Sequence, residues 1–157
     1  MTRPGQALSP ASLFCPWDME IAAHNFEAMC GHGALAAALG MDVCSVMQFF
    51  GRGGWVNFPQ MDEALRRAGK IPAKVTGWVH GPRIAVTLIQ FTGPWMKPGV
   101  PAAARCQHRH WIATFGVQVW DANTGAWQDR ADWEKSVIPD LMPKRGDGWE
   151  PFRSLIF

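Results

Sequence analysis

The chain has 157 residues, of which 48% are hydrophobic and 18% are charged, and its formal net charge is +2. This composition favours a single folded domain over residues 1–157 and argues against intrinsic disorder. The charge gives no reason to expect nucleic acid or an anionic membrane as a partner. No window approaches the ~18 consecutive apolar residues of a membrane span.

The N-terminus and the cysteines together indicate a cytoplasmic protein. Residues 1–14 are predicted to form a loose arm, and no apolar run of the kind found in a secretory signal follows its basic residue. The four cysteines, Cys15, Cys30, Cys44 and Cys106, contain no Cys-x-x-Cys pair. We therefore expect free thiols.

Helix signals dominate the first half of the chain. Gly40 and Gly69 are stop signals, Asp42 is a candidate N-cap, and Pro59 suits a helix start. Four helices are expected, over residues 16–26, 30–39, 43–50 and 59–68.

The second half changes to strand patterns. Branched apolar residues predict a buried strand over 84–91, and a long Pro/Gly/Ala loop follows over 93–104. The remaining predicted elements are strands over 109–114 and 117–121, a short helix over 133–141 and a closing strand over 152–157. Helices followed by an antiparallel sheet constitute an α+β fold, with N-terminal helices packed on a C-terminal sheet.

The predicted hairpin brings a histidine to an acid. If Phe115 and Gly116 form a two-residue turn, counting outward along both strands puts His110 directly opposite Asp121. The Cβ atoms of such a pair are roughly 4.5–5.5 Å apart, within hydrogen-bonding reach for an imidazole and a carboxylate.

Cys30 stands at the start of a predicted helix, whose N-terminus would stabilise a thiolate. In a thiol hydrolase it would be the nucleophile and His110 the general base. Asp121, or failing that Asn123, would orient the imidazole. The alternatives are a structural cysteine, a histidine bonded to a backbone carbonyl and a turn-forming aspartate.

Acyl chemistry also needs donors for an oxyanion. The backbone N–H of Cys30 is one candidate, and a side chain a few residues upstream is the other. Asn25 is the better neutral donor there and His24 the alternative, although Asn25 could equally cap a helix.

Three segments together resemble the papain-like cysteine peptidase superfamily: Cys30-Gly31 before an Ala/Leu helix, residues 61–65 with Gly69, and His110-Trp111 followed by Asp121. The nearest resemblance is to the bacteriocin-processing peptidase domains of peptide-exporting ABC transporters and their stand-alone relatives. It covers roughly residues 20–125. It implies a papain-like fold and a Cys-His-Asp thiol peptidase that uses no cofactor.

The expected reaction is cleavage of a peptide or isopeptide amide in a peptide or protein substrate, through a thioester acyl-enzyme. Transferase and deamidase outcomes would use the same residues. A different possibility is a non-catalytic binding or inhibitor module on the same fold, of phage or effector type. In that case the 93–108 segment would fill the cleft, whereas an enzyme requires an open cleft and a reactive Cys30.

A zinc protein is the third possibility. Cys106, His108 and His110 alternate at strand spacing, and Cys30 or His32 could complete a ligand set. A straight strand separates the outer two of these residues by ~13 Å, so at most two of the three could bind one ion.

Overall fold

The computed structural model describes residues 13–157. The predicted loose arm over residues 1–14 therefore lies almost entirely outside the described residues. At its end, two contacts hold the chain to the body of the protein. The Trp127 indole donates to the Phe14 carbonyl at 2.7 Å, and the Cys15 thiol donates to the Gly125 carbonyl at 2.7 Å.

Four helices form the first half, as expected. They are α1 (Met19–Phe26), α2 (Cys30–Leu39), α3 (Val43–Phe50) and α4 (Phe58–Arg67).

Local capping explains the helix boundaries. Gly40 ends α2 with a left-handed φ of 70°, which a glycine adopts without steric cost. The Asp42 side chain accepts the Ser45 N–H at 2.7 Å and caps α3. Asn57 and Gln60 form a reciprocal capping box at the start of α4. The predicted bounds of α2 and α3 are confirmed.

The second half contains six strands and three short helices. The strands are β1 (Ala73–Thr76), β2 (Ile84–Thr92), β3 (Arg109–Phe115), β4 (Gln118–Asp121), β5 (Ala126–Asp129) and β6 (Gly148–Ile156). The helices are α5 (Ala102–Cys106), α6 (Arg130–Ser136) and α7 (Ile138–Leu141).

All six strands belong to one antiparallel sheet in the order β1-β6-β2-β3-β4-β5. The expected α+β class, with N-terminal helices and a C-terminal antiparallel sheet, is confirmed. The last strand of the chain, β6, lies inside the sheet between β1 and β2. Only its second half matches the strand expected from the sequence.

Apolar layers cover both faces of this sheet. On one face, α2, α3 and α4 pack on residues that include Val86, Leu88 and Trp111. On the other face, Trp133 of α6 and Ile138 of α7 pack with β2, β3 and β4. Within residues 13–157, no single helix is long and apolar enough to cross a membrane; α2 and α3 qualify only as a pair bent by 110°.

Two further predicted elements differ from the structure. The expected loop over 93–104 contains a 3-10 turn (Pro94–Met96) and most of α5. The expected helix over 133–141 is divided into α6 and α7 at Val137, because a proline follows at position 139 and cannot donate its backbone N–H.

The hairpin register is also different from the prediction. Phe115 pairs with Gln118, so the two turn residues are Gly116 and Val117. Gly116 has a φ of 56°, and a turn of this length accepts a glycine at its first central position. The prediction that His110 and Asp121 lie directly opposite each other is therefore wrong. Continued beyond Ala113 and Trp120, the register puts Ile112 beside Asp121.

Candidate active site

The first turn of α2 is built around a buried histidine. His32 Nδ1 accepts the Met29 N–H at 2.9 Å, and its Nε2 donates to the Arg52 carbonyl at 3.2 Å. Burial lowers the pKa of His32, against a smaller opposing effect of the Arg52 carbonyl. The neutral ring thus fixes Cys30 as the first residue of the helix.

A glycine lets this helix start lie against the sheet. A Cβ on Gly31 would be 2.8 Å from Val56 Cβ and 3.2 Å from Trp111 Cδ1. The Trp111 indole also donates to the Val56 carbonyl at 2.8 Å, which ties β3 to the segment before α4. This close packing brings Cys30 to the beginning of β3.

A buried aspartate holds the histidine of β3. His110 Nε2 lies 2.9 Å from Asp121 Oδ2, so the N–H donates to the carboxylate and leaves Nδ1 for Cys30. The Trp133 indole donates to the same Oδ2 at 2.8 Å. Asn123 donates its backbone N–H and its side-chain amide to Oδ1, each at 2.9 Å. Asn123 therefore orients Asp121 rather than His110.

The β3–β4 ladder ends at the Ala113–Trp120 pair, and beyond it β3 meets the start of α2. Here the His110 imidazole and the Trp111 backbone N–H are the groups that lower the pKa of the Cys30 thiol. The part of β3 beyond its ladder with β4 thus supplies two groups that favour the Cys30 thiolate.

These contacts shift the pKa values of all three side chains. Burial alone would raise the pKa of Cys30, but the hydrogen bond and positive charge of His110 and the Trp111 N–H bring it below its ordinary value. Burial alone would lower the pKa of His110, but Asp121 and Cys30 raise it to about 10. Burial likewise opposes ionisation of Asp121, yet His110 holds its pKa below the usual range.

The pKa of a second half-buried thiol, Cys44, is shifted in the opposite direction to that of Cys30. Burial and the neighbouring Asp18 carboxylate raise the pKa of Cys44 to about 11. Cys15 and Cys106 are exposed. The chain therefore contains one activated thiol, one suppressed thiol and two exposed ones.

Two pockets open at Cys30. The histidine pocket, of about 450 Å³, contains His110, Asn123, Phe91 and Leu141 in its wall. The arginine pocket, of about 280 Å³, is lined on its far side by Arg52, Asn57, Gln60 and Trp111. Both pockets share Met29, Cys30, Trp55 and Arg109. The Cys30 thiol thus lies at the middle of a cleft.

The segment over 93–108 forms part of the wall of this cleft. Trp95 stacks on His108 with ring centroids 3.7 Å apart, and its indole donates to the Phe91 carbonyl at 2.7 Å. Cys106 lines the arginine pocket and Gln107 the histidine pocket. The segment leaves both pockets open rather than filling them.

The expected upstream oxyanion donor is not at this site. Asn25 and His24 are exposed on α1 and line neither pocket. The reason is a turn after α1, where Glu27 has a left-handed φ of 56°. Gln107 is a side-chain amide in the cleft that sequence reasoning missed, since it lies in a predicted loop without a recognisable motif.

The three histidines predicted as candidate metal ligands have other partners in the fold. His32 uses both ring nitrogens within the fold, His108 stacks on Trp95, and His110 binds Asp121. Among residues 13–157, no group of three His, Cys, Asp or Glu side chains is arranged to hold a metal ion.

Comparison with protein-family models, with curated proteins and with solved structures gives no match for this chain. Inference about function therefore rests on the chemistry of the cleft. A thiol beside an imidazole that is held by a carboxylate is the arrangement used for nucleophilic attack on acyl groups.

Proposed function

We propose that the protein is a thiol hydrolase that cleaves a peptide or isopeptide amide, with Cys30 as nucleophile, His110 as general base and Asp121 as the orienting acid. The hydrogen bond from His110 to Asp121 carries the proposal, because it turns the second ring nitrogen toward Cys30. The lowered pKa of Cys30 supports it further.

The reaction would run through a thioester. The thiolate of Cys30 adds to the amide carbonyl, and the His110 imidazolium gives its proton to the leaving nitrogen as the C–N bond breaks. Water, deprotonated by the now neutral His110, then attacks the thioester. The products are a carboxylic acid, an amine and the restored Cys30–His110 pair. An amine in place of water would give the transferase outcome.

A papain-like architecture is part of this proposal. A cysteine at the first position of a helix, packed on an antiparallel sheet that carries the histidine, supports it. A cytoplasmic location is the matching expectation, supported by four cysteines that are all free.

Alkylation with iodoacetamide at pH 6 tests whether Cys30 is ionised. The rate is measured for each cysteine by mass spectrometry. We expect Cys30 to react faster than the exposed Cys15, because a thiolate is the reactive form. In His110→Ala the rate at Cys30 should fall roughly tenfold or more, since burial then raises its pKa. Slow labelling of Cys44 in both proteins is the control that the fold is intact.

The acyl-enzyme is tested with p-nitrophenyl acetate. An acetyl group should appear on Cys30 within the first minutes and disappear on further incubation in water, as the thioester is hydrolysed. If Cys30 reacts with iodoacetamide no faster than Cys15, the hydrolase proposal is wrong and a non-catalytic binding module is favoured.

A further inference from the structure

The cleft through Cys30 is lined by cations. Arg52 and Arg109 line the arginine pocket, and Arg109 also lines the histidine pocket. A further pocket of about 510 Å³, here the lysine pocket, shares His108 and Pro143 with the histidine pocket and adds Lys144 and Arg145. Of the residues that the structure describes, no aspartate or glutamate lines any of these three pockets.

Fold contacts do not neutralise these cations. The ion pairs found over residues 13–157 are Arg66–Asp62, Arg67–Glu63 and His110–Asp121, and none includes an arginine or lysine of the cleft. The whole chain has a formal charge of only +2, so the positive sign of the cleft is a local property.

Arg109 is held in place by groups that carry no negative charge. Its Nε donates to Gln90 Oε1 at 2.7 Å, and its guanidinium lies 4.8 Å from the centre of the Phe152 ring. Gln90 is itself buried and bonded through its amide to the carbonyls of Phe91 and His108. The charge of Arg109 is therefore fixed beside Cys30 and available to a ligand.

We propose that the substrate is an acidic polypeptide segment, with carboxylates on both sides of the amide that Cys30 attacks. This inference rests on the proposed function. An extended segment crossing Cys30 would contact Arg52 on one side, Arg109 next to Cys30 and the lysine pocket on the other side. Guanidinium groups bind carboxylates through paired hydrogen bonds.

The test uses peptides that carry an electrophile. Each has a central lysine whose side-chain amine is iodoacetylated, flanked on both sides by two glutamates, two glutamines or two lysines. We expect Cys30 to be alkylated fastest by the glutamate peptide and slowest by the lysine peptide. The preference for glutamate over glutamine should fall as salt is raised from 20 mM to 500 mM, because screening weakens exposed charge interactions.

Substitutions of single arginines test whether the preference for the glutamate peptide arises in the cleft. Arg109→Gln and Arg52→Gln should each reduce the glutamate preference by roughly 1.5- to 5-fold, the range expected for one partly exposed ion pair. Arg83→Gln removes the same charge from an exposed position outside the three pockets, and the preference should remain. Arg52→Gln serves if Arg109→Gln does not fold, because Arg52 is exposed.

Two results would overturn the inference. One is equal alkylation by the glutamate and glutamine peptides; the other is an equal effect of Arg83→Gln and Arg52→Gln. Iodoacetamide is measured in parallel, and it separates the two proposals. Fast iodoacetamide labelling of Cys30 with no glutamate preference refutes only the acidic substrate, whereas slow labelling by iodoacetamide refutes the hydrolase.

Discussion

Cys30 and Cys44 show that the neighbouring side chain decides how a thiol at a helix start titrates. Both lie in the first turn of a helix, Cys30 in α2 and Cys44 in α3. A helix N-terminus favours a thiolate in each case. The imidazole of His110 lowers the pKa of one thiol, whereas burial and the carboxylate of Asp18 raise that of the other.

The Trp133 indole is expected to act as a positioning group for the acid of the site. Trp133→Phe removes its hydrogen bond to Asp121 Oδ2 but keeps an aromatic ring. The carboxylate should then hold the His110 imidazolium less well. A hydrogen bond to a charged group contributes about 1.5–3 kcal/mol, or roughly 1–2 pKa units. Because Trp133 acts on Cys30 only through Asp121 and His110, we expect the pH at which Cys30 becomes reactive to iodoacetamide to rise by a part of this, about 0.5–1 unit.

Trp149→Phe is the matched control for this variant. Trp149 packs edge-to-face on Trp133, with ring centroids 5.7 Å apart, and the indole N–H that binds Asp121 stays in place. Its pH profile should match that of the wild type. Identical profiles for Trp133→Phe and the wild type would refute the positioning role.

The sequence predicts a hydrogen bond between His110 and Asp121. The structure contains this bond, although the register of the hairpin differs from the predicted one. Moving the two-residue turn forward by one position changes the cross-strand pairing by two residues. Two residues is one full period of a strand, so both side chains stay on the same face. They are diagonal neighbours instead of directly opposed, and their side chains still meet at 2.9 Å.

At the scale of elements, the distance between α2 and the sheet depends on Gly31. We expect Gly31→Ala to lower the free energy of unfolding by about 1–2 kcal/mol, because overpacking outweighs the better helix propensity of alanine. Iodoacetamide labelling of Cys30 should also slow, since the added methyl group pushes the helix start away from β3. Urea denaturation and the alkylation rate measure the two effects.

Gln48→Ala, at an exposed position of α3, is the control substitution to alanine. It should change the free energy of unfolding by no more than about 0.5 kcal/mol. A Gly31→Ala protein as stable as the wild type would contradict the packing described above.

Helices whose ends carry capping residues could be predicted from the sequence. Strands that form only because a neighbouring strand pairs with them could not. Gly40 and Asp42 fix the ends of α2 and α3 locally. By contrast, β1 and β5 are four-residue edge strands with largely exposed side chains, and their sequences do not alternate clearly. They are strands because β6 and β4 pair with them, and neither pairing is visible in a short window.

For the whole molecule, buried and half-buried groups with shifted pKa values make stability depend on pH. The lowered pKa values of Asp18 and Asp121 add stability above about pH 3.9, which is lost in acid. The raised pKa of His110 adds stability below about pH 6.5, which is lost as the pH rises through about 10. The lowered pKa of Cys30 adds stability above about pH 8.5, which is lost as the pH falls.

The effects of His110 and Cys30 on stability have opposite signs between about pH 6.5 and 8.5 and offset each other. We therefore expect a Tm that changes little across this window and falls on both sides, as measured by calorimetry. In Cys30→Ala the cancellation is lost, and the Tm should fall with rising pH within the window. A Cys30→Ala curve parallel to the wild type would contradict the assigned charges.

The position of β6 also determines when the site can form during synthesis. Cys30, His110 and Asp121 have all been translated well before Gly148–Ile156. Until those residues leave the ribosome, β2 has no partner on one side and the sheet that carries His110 is incomplete. We therefore expect the lowered pKa of Cys30 to be established on the nascent chain only after β6 has been inserted beside β2.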